Sequence, residues 1–112
     1  MNDAHKERLA RNEDLFRQVN DNIEDLAGDH GSDAHVYEFF CECSDIGCSA
    51  RVHMTLAEYG HVRDDPARFV VVKGHVLPEI EHVIERADDH VLIQKDGHAA
   101  TIAIELDVDT ER

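Results

Sequence analysis

Phe39-Phe40-Cys41-Glu42-Cys43-Ser44-Asp45-Ile46-Gly47-Cys48 contains every cysteine of this 112-residue chain. The apolar residues before Cys41 predict a β-strand. Positions two apart on a strand face the same way, so Cys41 and Cys43 would present both sulfurs on one side. Ser44-Asp45-Ile46-Gly47 reads as a tight turn that returns Cys48 to them, with Gly47 free to take a positive φ. A strand over 35–41 leading into this turn, with Arg51-Val52-His53-Met54 returning antiparallel beside it, makes the cysteine run the head of a hairpin.

Three thiols in a Cys-x-Cys-x4-Cys run are suited to a metal, and Zn²⁺ is the simplest occupant because it takes a closed tetrahedral shell of thiolate and imidazole ligands. Three sulfurs leave one place, for which nine histidines compete. His75 is favoured, since Lys73-Gly74-His75 follows the apolar run Phe69-Val70-Val71-Val72 and would bring a ligand from a separate element. Gly74 would let that backbone approach closely. His53 is the local alternative. Against both stands the plain reading of three buried reduced thiols.

The length suits one domain over 1–112, with an N-terminal helix over 6–27 and a metal-stapled core over 35–106. The hydrophobic fraction is 42%, the aromatic fraction 5%, and there is no Trp, which predicts a small aliphatic core. Eleven Lys and Arg against 25 Asp and Glu give a net charge of −14, which repels phosphate backbones and anionic membranes. Nucleic acid and membrane are therefore excluded as partners. With no apolar leader or spanning run, and an odd number of cysteines, the expected compartment is the cytoplasm.

Leu9, Asn12, Phe16, Val19, Ile23 and Leu26 recur at alternating spacings of three and four, a heptad seam within the predicted helix. The seam lies either on the chain's own sheet or on a second copy, and pairing through Leu9, Phe16, Val19, Ile23 and Leu26 makes a homodimer, with Asn12 setting register. Gly28 stops the helix before a polar loop, Asp29–Asp33. Thr55 and Glu58 match a capping box for a short helix over 56–63, ended by Asp64-Asp65-Pro66. Arg68–Lys73 is a strand. Pro78 suits the first turn of a second short helix over 79–86, with Ile80, Val83 and Ile84 inward. His90–Lys95 and His98–Leu106 read as strands of a hairpin about Asp96-Gly97, and 107–112 as a frayed tail. The fold class is thus α+β: an amphipathic N-terminal helix on a small, largely antiparallel sheet, with two short helices and a Cys3His staple.

Across Arg11–Asn20, Cys41–Cys48 and Arg68–His75, within a span of roughly Arg11 to Lys95, the chain resembles a group of small uncharacterised bacterial proteins. There the Cys-x-Cys-x4-Cys run and a later Gly-His recur together. The resemblance implies a Cys3His site of Cys41, Cys43, Cys48 and His75, and no particular activity. A looser similarity is to iron–sulfur domains that hold a 2Fe-2S cluster with three Cys and one His, although Cys48-Ser49-Ala50-Arg51-Val52-His53 departs from their motif. No phosphate loop or oxyanion-hole motif is present. The functional expectation is a small zinc-binding regulatory or protein-interaction module. An iron–sulfur or thiol-based redox protein comes next, then a small metal-dependent enzyme with Glu42 or Asp45 as base beside the ion.

Overall fold

A computed structural model describes residues 3–28 and 35–109. The elements in order are α1 (Asp3–Gly28), β1 (Val36–Phe40), β2 (Arg51–Thr55), α2 (Leu56–Arg63), β3 (Arg68–Val72), β4 (Glu81–Arg86), β5 (His90–Lys95) and α3 (Gly97–Asp109). The class is α+β, with two antiparallel sheets rather than one: the β1–β2 hairpin, and a second sheet in the order β3-β5-β4. The loop expected at Asp29–Asp33 lies outside the described residues, as do 110–112.

The hairpin forms where the cysteine run predicts it, with Phe39 opposite Val52 and Tyr37 opposite Met54. Strand β3 is apolar on both sides because both sides are covered. Val70, paired with Leu92, joins Phe39, Val52, Met54, Tyr59 and Val62 in one core. Phe69 and Val71, paired with Ile93 and Val91, face a second core with Ala103 and the buried Cys41 and Cys43. Helix α2 starts on the expected capping box: the Glu58 amide donates to Thr55 Oγ1 at 3.1 Å, and the Thr55 amide donates to Glu58 Oε1 at 2.8 Å.

Two elements differ from expectation. Residues 79–86 are not a helix. Leu77–Ile80 makes a single turn, in which the Ile80 and Glu81 amides donate to the Leu77 carbonyl, and the chain then runs out as β4. Ile80, Val83 and Ile84 imitate helical spacing because a β-bulge between Val83 and Glu85 resets the strand alternation. The structure leaves Ile84 exposed.

Residues 98–106 are not a strand but most of α3, and Asp107–Asp109 continue the helix instead of starting a tail. Strand β5 is central, with β3 on one edge and β4 on the other, so a further hairpin strand has no edge to join. Ala99, Ile102 and Ala103 supply the buried stripe, while Ile104, which completes the apparent alternation, is exposed. Gly97, at φ +51°, turns the chain into this helix.

Helix α1 forms as the periodicity requires but rotated from the expected face. Its buried side is Ala10, Glu13, Asp14, Arg17, Asn20 and Asp21. Of the heptad seam, Phe16 stacks on Phe40 with ring centroids 6.5 Å apart, and Ile23 packs against the first core, whereas Val19 and Leu26 are exposed. Asn12 is occupied inside the chain, donating to the Ser44 carbonyl at 3.0 Å. It therefore anchors the cysteine loop within the chain.

Each inward charge of α1 has an opposite charge beside it, although, among the described residues, Glu13 Oε1 and Arg63 Nη1 are buried without a hydrogen-bond partner. Arg17 donates to Asp14 Oδ1 at 2.7 Å and to the Ala103 carbonyl at 3.0 Å, with its guanidinium 4.4 Å from the Phe69 ring centre. Lys95 bridges Glu13 and Glu81. Arg63 bridges Asp21 and Asp107, joining α2 to α1 and α3. Such groups go inside only when paired, since an unpaired buried charge costs several kcal/mol.

Candidate metal centre

The strand alternation of β1 continues past its last ladder pair. The Cys41 amide donates to the Ala50 carbonyl at 3.1 Å, and the Glu42 amide to Val70 at 2.8 Å, so the segment is held between the hairpin and β3. Cys41 and Cys43 thereby face one way and Glu42 the other. The return of Cys48 is fixed by Asp45, whose Oδ1 accepts from the Gly47 amide at 2.9 Å and whose carbonyl accepts from the Cys48 amide at 2.9 Å. Positive φ is not needed at Gly47; among the described glycines it occurs at Gly74 and Gly97. At φ +89°, Gly74 forms the turn Val72–His75, closed by a 3.0 Å bond from the His75 amide to the Val72 carbonyl.

Those two turns bring Cys41, Cys43, Cys48 and His75 together, with one ligand atom of each within 4.8 Å of all the others. His75 Nδ1 lies 3.5 Å from Cys41 Sγ and 3.7 Å from Cys48 Sγ. A zinc ion with Zn–S near 2.3 Å and Zn–N near 2.05 Å places S and N about 3.6 Å apart along a tetrahedron edge. The donor set and spacing therefore fit one tetrahedral ion, and Nδ1 is the nitrogen His75 offers. The Val72 amide donates to Cys41 Sγ at 3.2 Å, an outer contact of the kind that steadies a thiolate.

Cys41 and Cys43 are buried, and Cys48 is partly exposed. A 220 Å³ cleft lined by Cys43, Asp45, Gly74 and His75 opens beside the cluster and gives an ion a way in. The protein's own groups single out Cys43. Its hydrogen bond with Cys41 holds it down to about 5, against burial that pushes it up. Cys41 is pushed up by that same hydrogen bond and by burial, and Cys48 by burial. Three thiols that share their protons beside an imidazole are a place where a dication would draw those protons off.

His53 is elsewhere. It is exposed on β2, with Nδ1 2.9 Å from Asp89 Oδ2, and is not part of the cluster. Of the two carboxylates considered as a base, Asp45 holds its turn through Oδ1 and lines the cleft beside Cys43 and His75. Glu42 is fully buried on the opposite face, where Oε2 accepts from Asn20 Nδ2 at 2.9 Å and from the Tyr59 hydroxyl at 3.0 Å, and Oε1 accepts from the Val70 amide at 3.1 Å. Burial pushes Glu42 up, and these donors, with Arg17, pull it back.

Asn20 also brackets Phe40, accepting from its amide at 2.7 Å and donating to its carbonyl at 2.8 Å. Asn12 and Asn20 are thus the residues that clamp the cysteine segment to α1. Sequence reading missed this role, and the only signal was two asparagines two turns apart on a helix. Comparison with models of known protein families, with curated proteins and with solved structures returned no match.

Proposed function

We propose that this chain is a small zinc-stabilised regulatory or interaction module, with the ion bound by Cys41, Cys43, Cys48 and His75. The observation that carries the reading is the mutual approach of those four ligand atoms within 4.8 Å. A two-iron cluster divides its ligands between two metals and sets the two pairs farther apart, so this compactness favours a single ion. Four protein donors leave no coordination place for substrate, and the buried carboxylate between the cysteines faces away, which favours a structural over a catalytic role. Three free thiols fit a reducing, cytoplasmic setting. No described helix is long and apolar enough to cross a membrane. Metal analysis of protein purified without added metal tests the reading. One zinc per chain, without visible absorption, is expected; iron with acid-labile sulfide would overturn it.

The interaction half of the proposal rests on the outer face of α1. Leu15, Val19 and Leu26 lie on one side of the helix and are 48%, 37% and 75% exposed. A second copy is the partner that such a stripe suits, although the charge of −14 on each chain opposes pairing and makes it stronger as salt rises. Sedimentation at two salt concentrations should show a dimer weakened by Val19→Glu. A monomer at both salts would remove the proposal.

A further inference from the structure

A second concavity lies away from the cysteines, between α2 and the β4–β5 turn. Its volume of about 310 Å³ is at the small end of the range of small-molecule sites, about 300–1,000 Å³. Met54 and Leu92, both members of the first core, form an apolar floor. The walls carry hydrogen-bond acceptors. Glu85 Oε2 is 2.6 Å from His61 Nε2, which leaves its second oxygen for a ligand. Glu58 uses Oε1 on the Thr55 amide and likewise keeps an oxygen.

His90 is the most constrained of the lining groups. Its side chain is 7% exposed, and Nδ1 lies 2.6 Å from Asp89 Oδ1. Burial pushes Asp89 up, but hydrogen bonds from His90 and His53 outweigh this and hold it below its ordinary range. Nδ1 is therefore committed to the Asp89 carboxylate, and Nε2 is the ring nitrogen left to the groove. Against these acceptors the lining has one permanent cation, Arg86.

We propose that this groove binds a small organic amine, its apolar body on Met54 and Leu92 and its ammonium group between Glu58 and Glu85. An apolar floor provides affinity without direction, and the acceptors choose the charge of the ligand. The acidic balance of the whole chain, −14, attracts the same class of ligand. The site is independent of the metal centre and stands or falls apart from it.

Phenethylamine and 3-phenylpropionate share an apolar body and differ in charge, so amide resonance shifts on titration at about 150 mM salt separate the two requirements. Phenethylamine should shift His61 and the 87–92 segment, and 3-phenylpropionate should bind at least about tenfold more weakly. Ala57→Phe, at an exposed position of α2, fills the groove and should abolish the shifts, and Ala87→Phe does the same from the opposite wall. Glu85→Gln should weaken binding about tenfold, the loss of one charge-assisted hydrogen bond. Equal shifts from both compounds, no shifts from either, or amine shifts that persist in both filled variants would overturn the proposal, the last by showing general attraction to an acidic surface.

Discussion

Among the described residues, the Cys3His cluster and the charge network under α1 are assembled in opposite ways. The Cys3His cluster is local: three ligands fall within eight residues, the fourth sits in a tight turn after the strand they touch, and two of the four approach solvent. The charge network under α1 is dispersed. Glu13 and Asp21 meet Lys95, Glu81, Arg63 and Asp107 from four other elements, Arg17 pairs with Asp14 on α1 itself, and most of the network is closed to water. On the proposed reading the first draws its stability from outside, through an ion that would deprotonate and hold Cys41, Cys43, Cys48 and His75. The second must balance within itself, because each carboxylate or cation it buries has given up hydration that only its partners replace. A small chain with few aromatics can thus close its interior by coordination at one end and by paired charges at the other.

If that contrast holds, the charge network should break more sharply when one member is removed. Lys95→Met leaves Glu13 and Glu81 facing each other without their shared cation. Unfolding in urea should show a loss of about 3–5 kcal/mol. Burial already pushes Glu13 well above the ordinary carboxylate range, with Lys95 opposing and Glu81 adding to the rise. Replacing all three by apolar residues of similar size (Glu13→Leu, Glu81→Leu, Lys95→Met) should return most of the loss, since the desolvation penalty leaves with the charges. If the triple variant is no better than Lys95→Met, the network does more than balance its own burial.

Metal removal should cost somewhat less. An ion bound at a thousand times its dissociation constant contributes about 4 kcal/mol to the folded state. Chelation, or Cys43→Ser, should therefore lower the urea midpoint, while the second sheet, which supplies none of the sulfurs, keeps its slow amide exchange. Simultaneous loss of protection in both sheets would show that the metal holds the whole fold and not one end of it.

The same contrast explains what the sequence discloses. The hairpin and the capping box of α2 depend on residues close together in the chain, where spacing maps directly onto geometry. His75, by contrast, reaches the cysteines from 34 positions beyond Cys41. Gly74, expected to permit a close approach, has open space about it and supplies a positive φ instead. The buried face of α1 depends on partners up to 86 residues away, as from Arg17 to Ala103, and a pattern search that sorts residues by hydropathy assigns Glu13, Asp14 and Arg17 to water. Hence α1 is legible as a helix but not in its rotation. Segments 79–86 and 98–106 exchange identities for a related reason. A bulge in one and an exposed Ile104 in the other produce the wrong period, and only the central place of β5 in its sheet decides between strand and helix.

Glu42 belongs to both regions, standing between two of the sulfur ligands while its carboxylate closes on Asn20, Tyr59 and Val70. Glu42→Gln keeps the shape but offers one acceptor oxygen in place of two and adds donors among donors. The expected loss is about 1–3 kcal/mol, the cost of leaving buried polar groups unmatched. Measuring it with and without zinc makes a thermodynamic cycle. A coupling of at least about 0.5 kcal/mol is expected if the cysteine segment carries strain between the regions, whereas strict additivity would make them independent.

The smallest expected effect is at the surface, where His53 and Asp89, backed by the buried His90, link β2 to the β4–β5 turn. The hydrogen bond that His53 donates to Asp89 pushes His53 up, with Glu38 adding to it, and His90 and His53 hold Asp89 down against its burial. The two shifts act at different ends of the pH scale. The raised His53 stabilises the fold fully below its unfolded value of about 6.5, and this is lost as pH rises through the folded value. The lowered Asp89 stabilises above its unfolded value of about 3.9, and this is lost as pH falls through the folded value. Between those limits both are charged and the link is at full strength. Asp89→Asn should return the His53 titration, followed by its ring proton shifts, toward its ordinary value and flatten the dependence of stability on pH above 6.5. The effect should shrink with added salt, because His53 is open to solvent. The same substitution should leave the response to Lys95→Met unchanged, since an exposed pair exchanges its partner for water and a buried triad cannot.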